Sequence, residues 1–162
     1  RMENMFPIEK QEIGFIVFRN HKSNKVNERL CDVNLSYSRA SEIQHSYISK
    51  QEVTERMNDW KEHLNRKIIW LMDGNTADIT IVLLSTGSFL LTLMDMWKFK
   101  SFESLYEFIL IDVDSKIFKI PVNQVKHGMV ELKEWRPIKD VVNVLNNDPK
   151  RIWALWKDDN WY

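Results

Sequence analysis

Residues 68–72 are five consecutive apolar residues, and Asp73 and Gly74 follow them. Side chains alternate between the two faces of a sheet, so a strand without a polar position must be covered on both faces. Upstream, Ser49 and Glu52 have the spacing of a capping box, which predicts a helix start. A helix followed by a doubly covered strand indicates a sheet with further elements packed on both of its faces.

Other short runs of β-branched and aromatic residues predict more strands. They lie at residues 13–18, 30–35, 41–46, 79–84, 89–94, 108–113 and 116–120. Helical signals recur over 138–145 and 149–156, whereas the polar, basic segment 19–25 is typical of a solvated loop. We therefore expect an α/β fold with a mixed central β-sheet flanked by α-helices.

Length and composition limit the classes of protein that remain. A chain of 162 residues predicts one domain, with a core over about 13–73 and additional strands and C-terminal helices over 79–162. The four glycines are too far apart for a Walker or dinucleotide fingerprint. A single cysteine excludes an internal disulfide and a cysteine-based zinc site. Basic and acidic residues balance at 23 each, so any site for a polyanion must be local.

The sequence also bears on location and context. The first residues lack an apolar signal region, and the most apolar stretch, 79–94, is interrupted by polar residues and is short for a membrane span. With the single cysteine, this predicts an intracellular protein, cytoplasmic or nuclear, without a membrane partner. Arg1 in first place indicates an artificial first residue or a piece of a longer polypeptide.

Two acidic residues on neighbouring predicted strands indicate a site with chemistry. Glu42 and Gln44 share one face of the strand 41–46, while Ile43 points to the other face and can pack in the core. If a hairpin brings Asp32 beside Glu42, the pair forms an all-oxygen site suited to Mg²⁺. A metal ion held there can polarise a phosphodiester and generate a hydroxide nucleophile. The spacing of these residues alone is a weak pattern.

The surrounding residues resemble the core of the CoiA-like competence nucleases, a branch of the PD-(D/E)-x-K superfamily with Gln at the position of the usual Lys. The resemblance runs from about Arg29 to Asp73 and rests on Asp32, Val33, residues 42–46, Ile48, Ser49, Glu52 and Arg56. It implies one nuclease domain with a restriction-endonuclease-like fold. It also implies that Asp32 and Glu42 ligate Mg²⁺ or Mn²⁺ together with the carbonyl of Ile43, and that Gln44 orients water or phosphate.

By this resemblance, the chain is expected to be a metal-dependent nuclease that hydrolyses nucleic acid, with Asp32, Glu42 and Gln44 as catalytic residues. DNA is the favoured substrate, and RNA stays open. An alternative is a catalytically inactive descendant that binds nucleic acid or protein within a larger assembly. The zero net charge favours that alternative, as does the lack of a match to the N-terminal helix with Glu and His that precedes the core in the family. A protein partner or a second copy of the chain stays open.

Several polar residues are candidates for contact with nucleic acid. They are Ser46, Lys50 at the predicted helix start, Lys22 and Lys25 in the basic segment, and Lys98 and Lys100, which alternate with Trp97 and Phe99. A solvated surface charge is the commoner role for each lysine. Arg56 is expected to pair with Glu52 one helical turn earlier rather than to bind substrate.

Overall fold

The computed structural model describes residues 2–20, 25–36, 39–44, 48–63, 67–74, 79–93 and 108–156. These residues include ten strands: β1 Gln11–Asn20, β2 Lys25–Asn34, β3 Arg39–Gln44, β4 Lys67–Asp73, β5 Ile79–Leu83, β6 Phe89–Leu93, β7 Phe108–Val113, β8 Lys116–Pro121, β9 Met129–Leu132 and β10 Arg136–Pro137. The helices are α1 Lys50–Asn58, α2 Ile138–Asn147, a π-helical turn Asp59–His63, and the 3₁₀ helices Met2–Met5, Ile8–Lys10, Val122–Gln124 and Pro149–Leu155.

Seven strands form the main sheet, in the order β1-β2-β3-β4-β7-β8-β10. The pairs β1–β2, β2–β3, β7–β8 and β8–β10 are antiparallel, whereas β3–β4 and β4–β7 are parallel. The chain passes through α1 between β3 and β4, because parallel neighbours need a crossover connection. A second, antiparallel sheet has the order β5-β6-β9. The prediction of an α/β protein with a mixed sheet is confirmed.

Each face of the main sheet packs into its own hydrophobic cluster. On one face, Ile43, Ile69 and Leu71 join Leu145 of α2 in one cluster. On the other face, Trp70 and Met72 belong to a second cluster that includes residues from α1 and from the smaller sheet. The residues of β4 alternate between these two clusters, which confirms that it is an interior strand covered on both faces.

Some elements differ from the expectation. The prediction of a loop over 19–25 is wrong at both ends of that segment, because β1 continues to Asn20 and β2 begins at Lys25. Ladder hydrogen bonds join backbone groups whatever the side chains are, so a polar segment can prolong a hairpin. The last helix is a 3₁₀ helix, and β9 and β10 were not predicted. In the part of the chain that the structure describes, no helix is both long and apolar enough to cross a membrane.

Candidate metal centre

The ladder between β2 and β3 stops beside Asp32 and Glu42. Val33 pairs with Ser41, and the same register continued by one residue places Asp32 opposite Glu42. At this point the backbone N–H of Ile43 donates to Oδ2 of Asp32 at 2.7 Å. The carboxylate of Asp32 therefore connects the two strands where their backbone ladder ends.

The phase of β3 directs Glu42 away from the α2 side of the sheet. Ile43 is buried in the cluster that contains Val33 and Leu71, as the sequence predicted. Because side chains alternate along a strand, Asp32 and Glu42 both lie on the opposite face, which α1 and the π-helical turn cover. The two carboxyl groups thus share one side of the sheet.

Glu42 is almost fully buried, with 2% of its surface exposed. Nε1 of Trp60 donates to Oε1 of Glu42 at 2.9 Å, and Nη1 of Arg56 donates to Oε2 at 3.5 Å. Trp60 lies in the π-helical turn and is itself buried, beside Ala40 of β3. One donor therefore reaches each oxygen of the Glu42 carboxylate from the segment that follows β3.

Arg56 connects the surface of α1 to this buried group. Its Nη2 donates to Oε1 of Glu52 at 2.8 Å, so the pairing expected from the sequence is confirmed. Glu52 also supplies the third helical position of the cap, where its backbone N–H donates to Oγ of Ser49 at 3.1 Å. Nε of Arg56 is buried and has no hydrogen-bond partner among the described residues. The guanidinium is thus held close to Glu42 by an exposed carboxylate.

The surroundings of Glu42 favour its protonated form. Burial, followed by the negative charge of Asp32, raises the pKa of Glu42 from its ordinary value of 4.5 to about 8. A hydrogen bond with the Asp32 side chain acts in the same direction, while the charge of Arg56 and the hydrogen bond from Trp60 lower the pKa. At neutral pH the site therefore holds a proton that a bound cation would displace.

The atoms present fit a hard divalent cation. Two carboxylates and a neighbouring backbone carbonyl, that of Ile43, are the oxygen donors that Mg²⁺ prefers, with water completing its coordination. A carboxylate has about four lone-pair positions, so the donors from Trp60 and Arg56 leave acceptor capacity on Glu42. A bound cation would also offset the repulsion between Asp32 and Glu42 once Glu42 is ionised. Within the described residues no cluster of three or more His, Cys, Asp or Glu side chains is placed to hold a metal.

The other predicted site residues are placed in different ways. Gln44 is the last residue of β3, partly buried and on the same strand face as Glu42. Lys50 is the exposed first residue of α1, and Lys25 is the first residue of β2. The remaining nucleic-acid candidates, Ser46, Lys22, Lys98 and Lys100, lie outside the described residues.

The sequence did not indicate the role of Trp60 or of Arg56 beside Glu42. Trp60 follows Val53 and Met57 at helical spacing, which is typical of a packing residue. Its N–H becomes informative only once the π-helical turn brings it to β3. An ion pair with Glu52, four residues earlier on the helix, is sufficient to explain an arginine at position 56. The available signal was the spacing of Arg56 and Trp60, which lie one helical turn apart and follow the strand that contains Glu42.

Comparisons with protein-family models, with curated proteins and with solved structures give no significant match to this chain.

Proposed function

We propose that the chain is a metal-dependent nuclease that hydrolyses phosphodiester bonds of nucleic acid, with DNA as the first substrate to test and RNA as the second. The observation that carries this proposal is the placement of Asp32 and Glu42 on adjacent strands and on one face, where the β2–β3 ladder ends. A buried carboxyl group beside a second carboxylate is costly for folding unless something offsets it. A bound divalent cation would offset this folding cost and would give the two carboxylates a catalytic role.

Asp32, Glu42 and the carbonyl of Ile43 would hold Mg²⁺ or Mn²⁺. Bound there, the cation would polarise a phosphodiester and supply a nucleophile near neutral pH. Trp60 and Arg56 fix the orientation of the Glu42 carboxylate through their hydrogen bonds. Arg56 also carries a positive charge beside the carboxylates, and this charge would stabilise the negative charge of a phosphate oxygen bound there.

Gln44 is assigned a positioning role. A neutral amide cannot act as a general base, but it can hold a water molecule or a phosphate oxygen by a hydrogen bond. One hydrogen bond to a charged partner is worth roughly 1.5–3 kcal/mol, about ten- to a hundredfold in rate. Gln44→Ala should therefore keep measurable cleavage in single-turnover assays in which Asp32→Ala has none. Equal loss in both variants, with metal binding intact, would contradict this assignment.

The topology supports a restriction-endonuclease-like fold. An antiparallel hairpin leads into β3, and α1 then carries the chain to β4, which is parallel to β3. Elements also cover both faces of the sheet. This is the mixed, flanked sheet that the resemblance implies, with the acidic residues on its second and third strands.

A second candidate function is a nuclease-like module without catalysis, which binds nucleic acid or protein. The observation that favours it is the burial of Glu42 with donors on both oxygens, an arrangement that also suits a structural, protonated carboxyl group. Such a module would keep the fold and lose the response to metal. The two functions therefore differ in whether a divalent cation stabilises the folded protein.

The test is the change in melting temperature caused by Mn²⁺ relative to EDTA, followed by a cleavage assay on DNA and RNA. A cation that binds only the folded protein raises its stability by mass action. We expect a Mn²⁺-dependent rise in the wild type, no rise in Asp32→Asn or Glu42→Gln, and no cleavage by either variant. Asp140→Asn, which changes an exposed acid on α2, is the matched control and should behave like the wild type. An unchanged Mn²⁺ shift in the Asp32→Asn, Glu42→Gln double variant would reject the metal centre.

A further inference from the structure

A cleft opens where three neighbouring strands begin. Arg39, Lys67 and Phe108 are the first residues of β3, β4 and β7. Because these strands are adjacent and parallel, their first residues lie along one edge of the sheet. Together with the 3₁₀ helix Pro149–Leu155 they enclose a cleft of about 240 Å³.

The charge of this cleft has one sign. Arg39, Lys67 and Lys150 line it, and the described residues that line it include no aspartate or glutamate. Each cation comes from a different element, and both lysine side chains are exposed. Cations that converge from separate elements on one concavity create a local positive potential, although the net charge of the chain is zero.

An aromatic wall with a buried cation behind it closes one side of the cleft. Trp153 and Phe108 both line the cleft, and their ring centroids are 5.5 Å apart. Lys119 is completely buried, and its Nζ lies 4.5 Å from the centroid of the Phe108 ring. The same Nζ donates to the backbone carbonyl of Trp153 at 3.3 Å. Trp153 is partly exposed, so it presents an aromatic surface beside the three cations.

The size of the cleft limits the ligand. The volume of about 240 Å³ is slightly below the range of roughly 300–1,000 Å³ that is usual for small-molecule sites. That space suits a ligand about the size of one mononucleotide, and it is too small for a nucleic-acid duplex. Guanidinium and ammonium groups bind phosphate oxygens by charge-assisted hydrogen bonds, and a base can stack on an indole ring.

We propose that this cleft binds a nucleoside monophosphate unit, with its phosphate on Arg39, Lys67 and Lys150 and its base against Trp153. The unit is either a free nucleotide or the phosphorylated end of a nucleic-acid strand. The cleft is separate from the metal centre: Glu42 lies three residues beyond Arg39 on β3, about 10 Å along the strand. Binding in the cleft therefore requires no metal.

The test is titration calorimetry of the full chain, in EDTA and at low salt, with adenosine monophosphate, adenosine and inorganic phosphate. We expect the nucleotide to bind more tightly than either of its parts. Lys67→Gln combined with Lys150→Gln should weaken nucleotide binding about tenfold, since two ion pairs with the phosphate are lost. Asp32→Asn should bind the nucleotide like the wild type, whatever happens to metal binding.

The matched control is Lys126→Gln combined with Lys139→Gln, two exposed lysines that do not line the cleft. The control should keep wild-type affinity. Equal affinities for adenosine and for the nucleotide would overturn the proposal, as would equal losses in the two double variants. A 5′-phosphorylated adenine hexanucleotide distinguishes the two sources of the unit. If it binds as tightly as the nucleotide, the ligand is a strand end, and if only the nucleotide binds, the ligand is a free nucleotide.

Discussion

Glu42 and Lys119 are two buried ionisable side chains on the same sheet, and their surroundings differ in kind. Glu42 faces a second carboxylate, Asp32, as well as the donors from Trp60 and Arg56. Lys119 lies over an aromatic ring and donates to a backbone carbonyl. One environment contains a like charge, and the other supplies groups that a cation prefers. Burial alone therefore does not indicate a site, whereas burial beside a second carboxylate makes Glu42 a candidate metal ligand.

The largest effect should come from replacing Glu42 by its neutral isostere. In the folded protein Glu42 keeps its proton up to about pH 8, whereas in the unfolded chain the carboxyl ionises near its ordinary value of 4.5. Between these values the folded state binds more protons, so the contribution of Glu42 to stability is full below pH 4.5 and is lost as pH rises toward 8. Each unit of difference between the folded and unfolded pKa values changes the free energy of unfolding by about 1.4 kcal/mol.

Glu42→Gln removes this dependence, because the amide does not titrate. In EDTA, the variant should gain stability relative to the wild type between pH 5 and pH 8, by roughly 3 kcal/mol over that range. Urea unfolding at pH 5, 6.5 and 8 measures the difference. Mn²⁺ should offset the cost at pH 8 in the wild type and have no effect in the variant. Parallel pH profiles for the two proteins would contradict the raised pKa.

Replacing Lys119 should have a smaller effect and should leave the proposed metal centre unchanged. Lys119→Met fills the space of the hydrocarbon stem but removes the hydrogen bond to the Trp153 carbonyl. We expect a loss of about 1–2 kcal/mol in the free energy of unfolding, with the Mn²⁺-induced rise in melting temperature retained. Urea unfolding and thermal melts with and without Mn²⁺ measure the two quantities. Loss of the Mn²⁺ response in this variant would show that the two buried charges are coupled.

The local parts of this comparison could be predicted from the sequence. Alternation along residues 41–46 placed Ile43 in the core and Glu42 on the opposite face, and the unbroken apolar run predicted β4. Both follow from the period of a strand, which needs no knowledge of distant residues. The helix start at Ser49 was equally local, because its cap depends on residues three positions apart.

The long-range parts could not be predicted. The hydrogen bond from Trp60 to Glu42 joins residues 18 positions apart and depends on a π-helical turn that no periodicity indicates. The basic cleft needs Arg39 and Lys67 at one sheet edge, which follows only from strand order, and it needs the 3₁₀ helix with Lys150 beside that edge. The sequence of β9 does carry a strand pattern, since buried Val130 and Leu132 alternate with exposed residues. This pattern covers only four positions.

The smallest effect should come from Trp60→Phe, which separates the hydrogen bond of Trp60 from its packing. The substitution keeps an aromatic ring beside β3 and removes the donor to Oε1 of Glu42. Because that hydrogen bond favours the ionised carboxylate, its loss should raise the pKa of Glu42 further and weaken the Mn²⁺ response without abolishing it. The matched control is Trp156→Phe: Trp156 is also buried, and its Nε1 has no hydrogen-bond partner among the described residues. Both variants lose similar apolar area, so Trp60→Phe should be the less stable by about 1 kcal/mol at pH 8, the worth of one hydrogen bond. Equal losses, with equal Mn²⁺ shifts, would show that Trp60 acts at this site only through packing.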